Sequence, residues 1–435
     1  MIRAAVLFAV LALCVPAGAR AQSDTATVSE FEVAGIPVIY KPVLGNEVVA
    51  VRLYLDGGSA NLTPETAGIE RFLAAAAVRG TEKYSRDEFA ALSAATGTAM
   101  GADPNPDYTM FALQAVSAHW DTAWDLFTQA VLHPTFPADE VELVRAQIVN
   151  QLKARVDNPD AHLPVLANDL MYRGHPYALD PAGTVEAIEG IQVADLQRWH
   201  GERLTKENLL LVVVGNVPRA DLEAKIAASF GALPATGGAA GTIPPLASAG
   251  PAVEVTQRDL PTNYVRGEFS TPHPGDPDYA AIRVAIDILS DRLNEEVRTK
   301  RNLSYAVFAA LSQRRANYGL IYVTAVDPDT TLEVMFHEIE RLKTEPITAE
   351  RLAENVNVFL TLYWLGQETN MGQAATLGTF EMVGDGWENA AEFARRVQAV
   401  SPADIQRVAA TYLKSIRFAI IGNPEGIDRA LFTSL

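Results

Sequence analysis

Ala194-Asp195-Leu196-Gln197-Arg198 returns 209 residues later as Ala403-Asp404-Ile405-Gln406-Arg407. Two further landmarks keep the same order and nearly the same spacing. Asp121-Thr122 opens an amphipathic segment (Trp124, Leu126, Phe127, Val131), and Asp329-Thr330 opens another (Leu332, Val334, Met335, Ile339). The apolar run from Leu209 to Gly215-Asn216 returns as Phe418 to Gly422-Asn423. Three landmarks at one spacing mark a duplicated unit. Between the copies, Gly231 to Pro251 is rich in Gly, Ala and Pro and lacks charge, the composition of a linker. The reading is two homologous domains, 22–230 and 252–435, joined by residues 231–251. Each is of a size that one hydrophobic core supports.

Within the first copy, Glu30 to Tyr40 and Val48 to Leu55 read as two strands. Leu44-Gly45-Asn46 between them predicts a hairpin turn. Thr63-Pro64 predicts a helix start, with the helix running to about Val78. Ser85 with Glu88 is a capping box for a second helix. Phe111 to Val116 reads as a strand, and Leu209 to Val214 as a buried one. Strands and helices mix without strict βα alternation. The fold class expected is therefore α+β, each domain a largely antiparallel sheet covered by helices.

Composition narrows the function. Lys+Arg number 35 against Asp+Glu 53, a formal charge of −18. Phosphate backbones and anionic lipid both call for clustered Lys and Arg, so neither nucleic acid nor a lipid surface is an expected partner. Residues 1–21 read as a secretory signal peptide: Arg3, the apolar run Ala4 to Val15, then Ala19-Arg20-Ala21. That run is too short to span a bilayer. Cys14 is the chain's one cysteine, and Leu13 before it disfavours a lipid-attachment signal. Cleavage after Ala21 would leave 33 basic and 53 acidic residues, a charge of −20, and no thiol. The expectation is an exported protein without disulfides, periplasmic in a Gram-negative bacterium and secreted otherwise.

Local catalytic motifs are missing. The seven histidines lie no closer than 13 residues apart, so no helix offers two zinc ligands on one face. Asp103-Pro104-Asn105-Pro106-Asp107 begins like a calcium loop, but Tyr108 and Gln114 occupy the positions that need Gly and Glu. A proline-rich turn is the better reading. No Gly-x-Ser-x-Gly elbow and no Gly-Lys-Ser/Thr phosphate loop occurs.

One frame of residues is nonetheless specific. Gly68-Ile69-Glu70-Arg71-Phe72-Leu73-Ala74-Ala75-Ala76-Ala77-Val78-Arg79-Gly80-Thr81 resembles the G-x-x-H-F-L-E-H-x-x-x-x-G-T segment of the pitrilysin/insulinase metallopeptidases, above all their two-domain branch that includes mitochondrial processing peptidase. Phe72-Leu73 and Gly80-Thr81 hold the register. The resemblance puts Arg71 and Ala75 at the two histidine positions, Ala74 at the general base and Gln147 at the third ligand. Alanine has no lone pair and a guanidinium repels a cation, so no zinc is expected in this chain.

In the second copy, Arg292-Leu293-Asn294-Glu295-Glu296-Val297-Arg298-Thr299-Lys300-Arg301-Asn302-Leu303-Ser304-Tyr305-Ala306-Val307 resembles the family segment R-L-x-x-x-x-R-x-x-x-x-L-x-Y-x-V. The resemblance makes Arg298 and Tyr305 the R/Y pair, donors that hold a peptide carbonyl and its oxyanion. Thr98 to Asp103 corresponds to the strand that binds extended substrate. Lys300, Arg301, Arg314 and Arg315 read as a solvated basic face or a contact for an acidic partner. Together these imply a non-catalytic subunit, inactive alone, that pairs with a homologous H-x-x-E-H chain. That partner would carry the zinc, and an extended peptide would be the substrate. The alternative is a peptide-binding or scaffold protein of the cell envelope with no peptidase role. An autonomous metallohydrolase with an unrecognised site ranks third.

Overall fold

The computed structural model describes residues 27–238, 240–246 and 250–435; the signal-peptide reading lies outside them. The strands of the first half are β1 Ser29–Val33, β2 Ile36–Pro42, β3 Val48–Asp56, β4 Ala99–Pro104, β5 Tyr108–Val116 and β6 Leu209–Gly215. Its helices are α1 Ile69–Ala77, α2 Arg86–Thr96, α3 Trp120–Leu132, α4 Ala138–Asp157, α5 Pro159–Met171, α6 Val185–Gly190, α7 Val193–Arg203 and α8 Arg219–Phe230. The second half has β7 Ala252–Gln257, β8 Asn263–Ser270, β9 Val307–Leu311, β10 Tyr318–Ala325 and β11 Arg417–Gly422. Its helices are α9 Tyr279–Leu293, α10 Pro328–Thr344, α11 Ala349–Gly366, α12 Asn370–Val383, α13 Glu388–Gln398, α14 Pro402–Tyr412 and α15 Arg429–Phe432.

The strands form two sheets, ordered β1-β2-β6-β3-β5-β4 and β7-β11-β8-β10-β9. β6 runs parallel to β2 and antiparallel to β3, and β11 takes the same place between β7 and β8. The fold class is thus two helix-covered sheets, antiparallel but for one pair in each. The repeated pentapeptide now has a physical content. Asp195 and Asp404 accept from the backbone N–H three residues earlier, at 2.9 and 3.1 Å, capping α7 and α14. Leu196 and Ile405 are fully buried. Arg198 and Arg407 reach back to the same aspartates.

Each half also covers the other's sheet. Leu163 and Ala167 of α5 pack on Ala419 and Ile421 of β11, while Ala374 and Leu377 of α12 belong to the cluster that holds Ala50, Tyr54 and Val212. The approach of α12 is close enough to need glycine: a Cβ on Gly378 would lie 2.2 Å from the Tyr54 hydroxyl oxygen. Loop residues tie the halves as well. Arg315 pairs with Asp56 at 2.9 Å and donates to Met382 O, and its backbone N–H donates to buried Asp107. Arg314 sits among the rings of Tyr172, Tyr177 and Tyr318.

Four expectations are corrected. Glu30 to Tyr40 is two strands, turned at Ala34 and Gly35, both at positive φ. The link at Leu44-Gly45-Asn46 is no hairpin, because β6, buried at all seven residues, takes the central place between β2 and β3. The helix predicted from Thr63 starts at Ile69. Gly68 at φ +89 breaks it, and a Cβ there would lie 2.7 Å from Gly183 Cα. Arg314 and Arg315 do not stand on an open face; both are half-buried between the halves, where a charge calls for the partners just named. The described part of the linker is strapped to the first half: Gly238 O accepts from Arg203, and Gly241 N–H donates to Asn61.

Candidate functional site

α9 does not end where an α-helix would. From Asn294 to Lys300 it continues as a π-helix, pinned by buried Leu293 and Val297. Asn302, at φ +52, then reverses the chain: its N–H donates to Arg298 O at 3.2 Å, and Leu303 N–H to Val297 O at 2.9 Å. The return places Tyr305 beneath Arg298, the guanidinium carbon 4.3 Å from the ring centroid. Tyr305 is 81% exposed, and its ring stands at the mouth of β9. An exposed cation–π contact of this kind is worth about 0.5–1 kcal/mol, enough to bias a side chain. Among the described residues no carboxylate forms an ion pair with Arg298, and the residue is exposed. The two residues that the sequence pairs are therefore together.

The charges around them are spent. Lys300 Nζ lies 2.9 Å from Glu295 and 2.6 Å from Glu296, and Arg301 pairs with Glu296. Hydrogen bonds from Lys300 and Arg301 hold the Glu296 carboxyl down to about 2. Lys300 and Arg301 thus balance acids of their own segment.

The frame in the first half is built on α1 and α4. Ile69, Phe72 and Ala76 are fully buried and fix its register. Arg71 donates to Ala182 O at 3.1 Å and to the Gln151 side chain, and Arg79 donates to Gln147 Oε1 at 3.3 Å. Gln147 does lie on the helix facing α1, but it serves Arg79, not Arg71. Burial foremost, then Arg155, lower the Arg71 guanidinium's proton affinity against the pull of Asp180. Ala74 borders a cavity of about 130 Å³ lined by Met100, Phe111 and Val131. A divalent cation does not fit these residues: one position is cationic, one has no donor atom, and the amide oxygen is engaged. Among the described residues no group of three or more His, Cys, Asp and Glu could hold a metal.

β4 and β9 each stand at one edge of their sheets, with β1 and β7 at the other. Asn105 N–H donates to Tyr108 O at 2.9 Å, so by alternation Met100 and Ala102 turn their amides and carbonyls away from β5. β4 is largely exposed and includes most of the expected substrate strand. β9 differs: Ala309 N–H, on its free side, donates to Ser290 Oγ of α9 at 3.1 Å. Ser290, Arg79, Gln151 and Lys300 were not singled out as site residues by sequence reasoning; only the Glu-Glu-x-x-x-Lys-Arg spacing was there to be seen.

Residues 38–185 match the model of the insulinase peptidases (family M16), and residues 190–359 that of the M16 inactive domain. A protein described as an uncharacterized zinc protease of Mycobacterium bovis is 24% identical over 409 residues, covering 91% of this chain and 93% of its own. A protease from Helicobacter pylori superposes with a TM-score of 0.84 at 19% identity, covering 91% and 99%. An M16 inactive domain from Pseudomonas fluorescens gives 0.81 at 22%, covering 91% and 98%. No helix of the described residues is long and apolar enough to cross a membrane.

Proposed function

The chain belongs to the pitrilysin/insulinase (M16) peptidase family, and from that premise we propose that it is the non-catalytic, substrate-binding subunit of a heteromeric zinc metallopeptidase. The observation that carries this is the contrast of the two motifs. Arg298 stands free of carboxylates over exposed Tyr305, whereas the zinc frame holds an arginine and an alanine. A guanidinium and a phenol donate hydrogen bonds but make no nucleophile. The metal and the attacking water belong to a homologous H-x-x-E-H partner. This chain's share is to hold an extended peptide and to aim donors at its scissile carbonyl. The free amides of Met100 and Ala102 support strand addition as the way peptide is held. Residues 1–21 support export.

The test is affinity capture from an envelope extract, followed by reconstitution with any H-x-x-E-H protein recovered. The isolated chain is expected to contain no stoichiometric zinc and to cleave nothing; the pair should cleave peptides, and Arg298→Ala should lower that activity. Tightly bound zinc in the isolated chain, or a partnered activity indifferent to Arg298 and Tyr305, would overturn the reading. The free edge of β4 also suits a pure peptide binder. Peptide affinity with no zinc-bearing partner recovered would favour that reading.

A further inference from the structure

The π-helix brings together residues that an α-helix would keep apart. Three contacts in it span five residues: Lys300 to Glu295, Arg301 to Glu296, and Thr299 Oγ1 to Asn294 O at 3.3 Å. On an α-helical surface, by contrast, neighbours are three or four residues apart. There Glu295 and Arg298, spaced i,i+3 with the acid N-terminal, would make an ordinary ion pair. The observed register gives Glu295 to Lys300 instead. Single π-turns inside α-helices concentrate at functional sites, and this one ends on the residues in question.

We propose that Lys300, acting through the π-turn, is a positioning residue: it occupies Glu295 so that Arg298 stays unpaired over Tyr305. The idea rests on the R/Y role proposed above and deepens it. A guanidinium already bonded to a carboxylate has fewer free donors and less net charge to offer a carbonyl. Keeping it free in an acidic chain requires that nearby acids be satisfied elsewhere. Glu296 is engaged by Lys300 and Arg301, and lies two positions from Arg298, where helical neighbours do not face each other. Glu295 is thus the competitor within the segment.

The test uses Lys300→Gln, which keeps a long polar side chain and removes the charge. In a crystal structure of the full chain, Glu295 should then contact Arg298, and the guanidinium should leave the Tyr305 ring. In the reconstituted complex, kcat/KM on a quenched fluorescent peptide should fall about two- to fivefold at low salt, the range of an exposed ion pair. The deficit should vanish near 0.5 M salt, where such pairs are screened. Adding Glu295→Gln should restore the level of Glu295→Gln alone. A purely structural Lys300 predicts neither salt recovery nor rescue. An unmoved Arg298 in the variant structure, or failure of Glu295→Gln to rescue, overturns the proposal. A guanidinium that swings while partnered cleavage stays unchanged would instead refute the R/Y role and leave the tether standing.

Discussion

Arg71 lies in α1, which follows β3, and Arg298 in the π-turn that extends α9, which follows β8, the strand that takes the place of β3 in the second sheet. Arg71 is tied down, to a backbone carbonyl and to Gln151 on α4. Arg298 touches the Tyr305 ring and is otherwise open. The difference lies in what packs alongside. α1 lies against the long α4 and a loop, so a side chain at its first turns finds acceptors at once. The end of α9 has been unwound into a wider turn whose acids are already taken. One repeated sheet architecture thus engages an arginine in the first half and displays a different one in the second.

The largest effect should come from removing the displayed one. Arg298→Ala is expected to lower kcat/KM of the partnered complex by about 10²-fold or more, the scale of a lost oxyanion donor. Arg71→Ala should stay within about threefold, since its partners are structural. Equal losses in steady-state assays would erase the distinction. Tyr305→Phe removes one neutral donor and keeps the ring beneath Arg298. Roughly a tenfold loss is expected, in kcat more than in KM.

A third prediction concerns the carboxylates beside these arginines, which are pushed in opposite directions. Glu70 is buried next to Arg71; burial raises its carboxyl above the ordinary range, against the Thr109 hydrogen bond and Arg203. A raised acid binds more protons folded than unfolded, so it adds stability as pH falls from its folded pKa toward its unfolded one. Glu70→Gln should remove that gain, altering the pH dependence of unfolding by about 1 kcal/mol, a usual single-site scale. Denaturant melts at pH 5 and pH 8 would show it, and parallel curves for the two proteins would refute it.

Phe72-Leu73 and Gly80-Thr81, all buried, mark the register of the frame around Arg71 in the sequence, and half-buried Leu303 and buried Val307 mark the segment that brings Tyr305 to Arg298. The strand order was not legible there. Alternation marks Val48 to Leu55 as a strand, but a strand's neighbours depend on distant runs, and β6 arrives from residue 209 onward. The start of α1 was misread because Thr63-Pro64 is a sound cap, whereas the decisive fact is how closely Gly183 approaches Gly68. Arg314-Arg315 looked solvated because sequence shows charge and not enclosure; only the opposing half supplies Asp56, Asp107, Tyr172 and Tyr177. The π-turn was equally out of reach, since α and π stretches share composition and differ in one hydrogen-bond step.

The smallest effect is the counterpart of Glu70 in the second half. Glu296 is held down to about 2 by hydrogen bonds from Lys300 and Arg301. A lowered acid binds fewer protons folded than unfolded. Its contribution is therefore complete above its unfolded pKa, near 4.3, and fades as pH falls toward 2. Because its partners are solvent-exposed, the contribution is at most about 0.5–1 kcal/mol. Glu296→Gln should accordingly melt slightly lower than the parent at pH 6, and the two curves should converge as pH approaches 2. Glu70→Gln should show its pH-dependent difference at the other end, above the unfolded carboxylate pKa. If both variants lost stability in the same pH window, the contrast between an acid enclosed by burial and one held by cations would fail at its source.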